Sequence, residues 1–192
     1  MKTHLAPIVL ALLGALPLAW TTGQAAGDPP ENPPAPVTVI AVRHAEKGTA
    51  DPRDPALSEA GQARAEELAR LIAKAGVTHL FATPYVRTRQ TLAPLAEAMA
   101  LEVEPYSPAD MPAFLAKLRA LPAGAVAVVA GHSNTTPGVV LGLGGQIDGL
   151  GTYQGAPALG DDEYDRLFVV TLGDETRVTK SLELHFGAKA SR

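Results

Sequence analysis

Residues 37–48 read VTVIAVRHAEKG, an apolar, β-branched run that stops abruptly at an arginine and a histidine. A run of six such residues, bounded by a charged turn, predicts a short strand over 37–42 that is buried on both faces. A strand buried on both faces belongs to a parallel or mixed sheet covered by helices, and it delivers whatever follows it to the sheet's carboxyl edge. Arg43 and His44 are therefore the first residues past a core strand.

The remainder of the chain repeats this arrangement. LSEAGQARAEELARLIAKAG (57–76) predicts a helix: Ser58 can cap its start, Leu68, Leu71, Ile72 and Ala75 share one face, and Gly76 ends it. THLFAT (78–83) predicts a second strand, and VRTRQTLAPLAEAMA (86–100) a helix that Pro94 should kink or split. LEVEPY (101–106) alternates as an edge strand does. PADMPAFLAKLRAL (108–121) predicts a helix with its prolines in the first turn. AVAVVAG (125–131) is another buried strand, and TTPGVVLGLGG (135–145) a short helix. After a Gly-rich loop, RLFVVTL and TRVTKSLELHF predict two late strands joined by a Gly-Asp turn. Strands alternating with helices predict an α/β fold, a three-layer sandwich with a mostly parallel central sheet and helices on both faces.

The flanks are of another kind. Lys2 and the apolar stretch Leu5–Ala19, interrupted by Pro7 and Pro17, precede the small residues Gly23, Ala25 and Ala26. This predicts a secretory signal over 1–25, and the stretch is too short and too interrupted for a membrane span. Residues 26–36 contain five prolines and predict a stiff linker, with the folded domain over 37–190. Signal removal moves the net charge from -4 to -5. With no long basic cluster, nucleic acid and anionic membrane are not expected partners, and no stable membrane insertion is expected once the signal is cut. There is no cysteine, which excludes disulfides and thiol chemistry. Expected localisation is periplasmic or extracellular.

Three polar clusters follow three buried strands: RHAEK, TPYVRTRQT and GHSNT. Parallel strands place Arg43, His44, Arg87 and His132 on one rim, and long helical crossovers imply that the strands are parallel. Two arginines offer planar, permanently charged forks for phosphate oxygens. A neutral imidazole is a nucleophile that splits slow phosphate hydrolysis into two easier steps.

At these residues the chain resembles the histidine phosphatase superfamily, with its phosphoglycerate-mutase-like fold. The motifs are VRHAEK, LSEAGQARAEELA, ATPYVRTRQTLAPLAEAMAL and VVAGHSNT, in the family's order, from about residue 38 to 140 and more loosely through DDEYDRLFVV. The resemblance implies that His44 is the phosphorylated nucleophile. It implies that Arg43 and Arg87 bind the phosphoryl group and that His132 hydrogen-bonds it in flight. Ser133 and Asn134, at a helix start, offer backbone N–H groups to the same anion. The family's commonest form has Gly where this chain has Ala45.

An alkoxide leaving group also needs a proton, normally from a carboxyl group. One branch of the family carries that acid between the second motif helix and the second histidine. The other carries it directly after that histidine, where this chain has Ser133. Asp110 is the choice made here, with Glu102, Glu104, Asp161, Asp162 and Glu163 as alternatives. Some short members lack the acid and act on phosphohistidine.

The expected function is an exported, metal-independent phosphohydrolase acting on a small phosphorylated substrate, with no cofactor. Its rivals are a phosphohistidine-protein phosphatase without a general acid and a non-catalytic binder of phosphorylated ligands. The pocket walls are expected from 46–56, 105–115 and 145–163. Arg64, Arg89, Glu59, Glu66 and Glu67 read as solvated helix charges, Gln90 and Thr91 as helix packing, and His79 and His185 as strand residues without ligands. Substrate and oligomeric state are not encoded in any motif.

Overall fold

A computed structural model describes residues 34–173 and 179–189. The predicted signal and all but the last three residues of the predicted linker lie outside the described residues, as does Asp174 of the Gly-Asp turn. Strand β1 is Thr38–Arg43, followed by α1 (Glu59–Ile72), β2 (His79–Ala82), α2 (Val86–Met99) and β3 (Val103–Pro105). A single 3-10 turn, Pro108–Asp110, leads into α3 (Met111–Arg119), and β4 (Val126–Gly131) and α4 (Thr135–Gly142) complete the alternation. A small hairpin, β5 (Gly151–Tyr153) and β6 (Ala156–Ala158), precedes β7 (Arg166–Thr171) and β8 (Lys180–His185).

Six strands form one sheet in the order β3-β2-β4-β1-β7-β8. β3, β2, β4 and β1 are mutually parallel, whereas β7 runs antiparallel to both β1 and β8. The strands' alternation sorts the core into two layers. Val39 and Ala41 of β1 join Phe81, Val129 and Phe168 against Phe114 and Leu118 of α3 and Val139 and Val140 of α4. Ile40 and Val42 join Leu80, Val128 and Leu167 against Leu68 and Ile72 of α1 and Leu92 and Leu95 of α2. Each side chain in these layers is at least nine-tenths buried, so truncating one of the leucines to alanine costs about 2–5 kcal/mol.

Several local readings change. Within α1 the packed face follows Leu68 and Ile72 and leaves Leu71 half exposed, while Ala75 lies beyond the helix end and is exposed. Arg64, read as a solvated charge, is 5% exposed: its guanidinium grips the Glu46 carboxylate and donates to the carbonyls of Phe186 and Ala188. Burial there is offset by a full set of charge-assisted hydrogen bonds. α2 runs unbroken through Pro94 and ends on Ala100 in the left-handed region. Ser58 caps α1 as expected, accepting from the Gly61 N–H at 3.1 Å. The hairpin was missed, although its Gln154-Gly155 turn, with both φ values positive, is the kind that tight hairpins require.

Candidate active site

Register brings the three polar clusters together. Arg43 at the end of β1 pairs with Gly131 at the end of β4, and Ala82 of β2 pairs with Ala130. The residues immediately beyond these, His44, His132 and Thr83, therefore emerge side by side at the carboxyl edge, where α/β sheets bind ligands. A cleft of about 390 Å³ opens there, lined by Arg43, His44, Arg87 and His132. Lys47, Tyr85, Pro108, Ser133, Asn134, Thr135, Tyr153 and Asp161 complete its wall. All three expected loop segments contribute to it.

The His44 segment is held by three contacts, one from β4 and two from helices α2 and α4. Its own N–H donates to Gly131 O at 2.9 Å, and the Ala45 N–H donates to Thr91 Oγ1 at 2.9 Å. The Thr136 hydroxyl donates to Val42 O at 3.0 Å. Gly131 is obligatory here, because a Cβ would sit 2.7 Å from Thr135 Oγ1 and 2.9 Å from Thr136 Oγ1. His44 Nδ1 lies 2.7 Å from the Ala45 carbonyl, which can only accept. The proton therefore sits on Nδ1, leaving on Nε2 a lone pair chemically able to act as a nucleophile. Burial, opposed by that carbonyl and reinforced by Arg43, His132 and Arg87, lowers the His44 pKa to about 3. His44 is neutral across the physiological range.

His132 faces His44 with ring centroids 5.3 Å apart. Burial, with Arg87 and Arg43 adding to it and Asp54 opposing, lowers its pKa to about 4. The two arginines flank the pair. Arg43 donates through one terminal nitrogen to the carbonyls of Gly160 (2.7 Å) and Asp161 (3.1 Å), and its guanidinium lies 4.3 Å from the Tyr164 ring centroid. Arg87 lies 4.5 Å from the Tyr85 ring centroid and reaches His132 Nδ1 and Asp54 Oδ1, each at 3.4 Å. The Nε–H of each arginine is buried with no protein acceptor. A buried charged donor without a partner is costly, and the two guanidinium groups together make the cleft suited to an anion.

Asp110 stands apart from this arrangement. Exposed, it caps α3, accepting from the Ala113 N–H at 3.2 Å, and it is not a cleft residue. Glu102 and Glu104 lie at the β3 edge, where Glu104 pairs with Lys117. Glu163 is occupied by the Gly160 N–H and Arg166. Asp161 is the acidic residue among those lining the cleft, where its backbone carbonyl receives Arg43, and Ser133 and Asn134 line it at the start of α4.

Sequence reasoning missed Asp54, whose carboxylate receives the Val86 N–H at the start of α2 and pairs with Arg87. It also underrated Gln90 and Thr91, which anchor Leu57 N–H and Ala45 N–H. No signal marks Asp54, because it acts across 33 residues from an irregular loop. His79 and His185 remain outside the site, bonded to Thr78 and Asp165. Among the described residues no group of three or more His, Cys, Asp or Glu is disposed to hold a metal ion, and no helix is long and apolar enough to cross a membrane.

Residues 39–107 match the sequence model of the Histidine phosphatase superfamily (branch 1). This segment includes Arg43, His44 and Arg87 and ends before His132. A search of curated proteins finds no match. Among solved structures, the protein histidine phosphatase SixA complexed with tungstate superposes with a TM-score of 0.59 at 18% identity, covering 77% of this chain and 96% of that one. A mycobacterial glucosyl-3-phosphoglycerate phosphatase with inorganic phosphate gives 0.55 at 17% identity, covering 80% and 98%. A phosphohistidine phosphatase SixA from Nakamurella multipartitia gives 0.53 at 20%, covering 81% and 100%. The chain shares the phosphoglycerate-mutase-like fold of these proteins.

Proposed function

We propose that this chain is a histidine-type phosphatase that hydrolyses a small phosphomonoester through a phosphohistidine on His44. The observation that carries this is the convergence, in one cleft, of a neutral imidazole with its Nε2 lone pair free and two arginine forks whose buried Nε–H donors have no protein acceptor. Arg43 and Arg87 bind the phosphoryl oxygens, and the N–H groups of Ser133 and Asn134 add to the clamp. Nε2 of His44 attacks phosphorus in line, and the ester P–O bond breaks. The resulting ring is cationic, and its Nδ1–H donates to the Ala45 carbonyl throughout. Preorganised donors around the three equatorial oxygens supply most of the transition-state stabilisation without a metal. Water then cleaves the P–N bond, regenerating His44 and releasing phosphate.

Asp161 replaces Asp110 as the proton donor to the leaving alkoxide in this proposal, since it is the acidic residue among those lining the cleft and Asp110 is used as a helix cap. The scarcity of carboxylates on that wall favours one second reading, a phosphohistidine-protein phosphatase, whose imidazole leaving group departs with less acid help. SixA-type enzymes carry that name, and Asp161→Asn separates the readings: hydrolysis of an alkyl phosphate falls if Asp161 is the acid, while phosphohistidine hydrolysis persists.

Export is proposed on the residues 1–26 pattern alone, and mass analysis of the mature protein checks it: chain beginning near Ala26 supports cleavage. The founding test is p-nitrophenyl phosphate turnover with EDTA present, wild type against His44→Ala. Turnover that survives EDTA and disappears in the variant supports the proposal. Phosphate affinity without turnover in the wild type would indicate a binder instead.

A further inference from the structure

We infer that Glu163 is a positioning residue: through the turn of residues 160–163 it fixes the Arg43 guanidinium so that its Nε–H/Nη2–H edge stays open for the phosphoryl group. The last clause rests on the phosphatase reading, whereas the fixing itself is a property of the ligand-free protein.

The turn is closed on itself. The Glu163 N–H donates to Gly160 O at 3.2 Å, and Glu163 Oε2 accepts the Gly160 N–H at 2.7 Å. The same oxygen accepts from Arg166 at 3.3 Å. Arg166, buried at the start of β7, donates to both carboxylate oxygens of Glu183 on β8, at 2.6 and 2.9 Å, and to Asp148 O at 2.7 Å. β7 and β8 thus fix the Glu163 carboxylate, and the carboxylate fixes the turn. These are charge-assisted bonds, the stronger class. Just before the turn, the Leu159 N–H donates to the carbonyl of the cleft residue Ser133 at 2.8 Å. Glu163 itself is not a cleft residue.

What the turn presents to Arg43 is two carbonyls, with a ring directly after it. Gly160 O and Asp161 O both accept from Nη1 of Arg43, at 2.7 and 3.1 Å, and the Tyr164 ring centroid lies 4.3 Å from the guanidinium carbon. The carbonyls occupy Nη1, and the ring limits the tilt of the guanidinium plane. Neither carbonyl takes the adjacent edge, where Nε–H and Nη2–H point side by side. Its Nε–H is buried without a protein acceptor. That edge can donate to two oxygens of one phosphoryl group at once, which a freely turning guanidinium does only part of the time. Glu163 touches neither substrate nor reacting atom, so its effect reaches the chemistry through Arg43.

The experiment is low-temperature 15N–1H NMR of the Arg43 side chain in ligand-free full-length protein, joined to p-nitrophenyl phosphate kinetics. The Arg43 signals are assigned by their loss in Arg43→Lys. In wild type, Nη1 and Nη2 are expected as separate signals, because the carbonyls hinder rotation about the Nε–Cζ bond. Glu163→Ala should merge them and lower kcat/KM about tenfold. Glu163→Asp keeps the charge but is a methylene short of the Gly160 N–H. It should behave as the alanine variant does, and it carries the test if that variant does not fold. Glu163→Gln should restore both readouts, since Oε2 alone serves Gly160 and Arg166 and an amide oxygen can take its place. General loosening of the fold would not follow side-chain length in this way. p-Nitrophenolate departs with little acid help, so the loss is not that of a displaced Asp161. Signals already merged in wild type, or still separate in Glu163→Ala (in Glu163→Asp if it stands in), overturn the fixing of Arg43. Merged signals with kcat/KM within about twofold of wild type overturn its importance for the phosphoryl group. A Glu163→Gln protein that behaves as Glu163→Ala overturns the bond to Gly160 as the link. If the wild type turns over no phosphate ester, the phosphatase reading fails separately, and the NMR result still decides whether Glu163 fixes Arg43.

Discussion

His44 and His132 meet edge to face, 5.3 Å between ring centroids, with both rings held neutral well below the ordinary histidine range. Burial is the main cause for each, and the two arginines that make the site attractive to phosphate make a second positive charge there unfavourable. A ring with a pKa of about 3 stays unprotonated far below pH 6.5, as the proposed nucleophile must. With substrate ionisation accounted for, kcat/KM, which reports the free enzyme, should therefore change little between pH 7 and 5 and fall only near pH 4 and below. A kcat/KM profile with an enzyme acid limb near 6.5 would contradict this arrangement.

The same shifts make folding pH-dependent. Each ring has a lower pKa folded than unfolded, so between about 6.5 and 4 the unfolded chain binds more protons and stability falls as pH falls. The contribution is fully present above pH 6.5. His44 alone contributes a slope approaching about 1.4 kcal/mol per pH unit in that window, and the more accessible His132 a smaller one. Denaturant midpoints measured from pH 7 to 4 should decline, and more gently in His44→Ala.

Arg87→Ala should lower kcat on the order of a hundredfold, the usual loss when one preorganised donor to a transition-state oxyanion is removed. Arg87→Lys should recover little, because one ammonium cannot serve His132, Asp54 and a phosphoryl oxygen with fork geometry. A loss below about threefold in the alanine variant would remove Arg87 from the clamp.

Asp54→Ala removes both the carboxylate that accepts the Val86 N–H and the counter-charge of Arg87. The expected cost is about 1 kcal/mol of stability, as for other helix-start caps, with turnover reduced less than in Arg87→Ala. Thermal unfolding and steady-state kinetics on the same preparation check both; unaltered turnover would confine Asp54 to the helix start.

Arg64→Met should destabilise by about 3–5 kcal/mol, because it leaves Glu46 facing a buried site and frees the Phe186 and Ala188 carbonyls. Adding Glu46→Gln should recover part of that loss in a denaturant titration. Full additivity of the two changes would show that the pair is not coupled.

The alternation of strands and helices, the buried strands and the rim bearing Arg43, His44, Arg87 and His132 were legible because each depends on local periodicity and on what directly follows a strand. What failed did so for definite physical reasons. Arg64 reads as a solvated charge because helix-face arithmetic does not register a carboxylate and two carbonyls arriving from elsewhere. Leu71 was placed inside because its period fits, but the packed face follows Leu68 and Ile72. Pro94 failed to break α2, since helix packing through Leu92 and Leu95 outweighs one missing hydrogen bond.

The amino-acid order by itself determined the α/β class, the sheet edge at which chemistry gathers, and the residue types able to clamp and attack a phosphoryl group. Only the tertiary structure decided that His44 bears its proton on Nδ1, that Asp110 is a helix cap, and that Asp54 and Thr91 support the site. The reason is that strand and helix identity follow from intervals of two to four residues. Protonation, orientation and burial depend instead on atoms brought together across intervals of 33, 49 and 117 residues, which no local pattern contains.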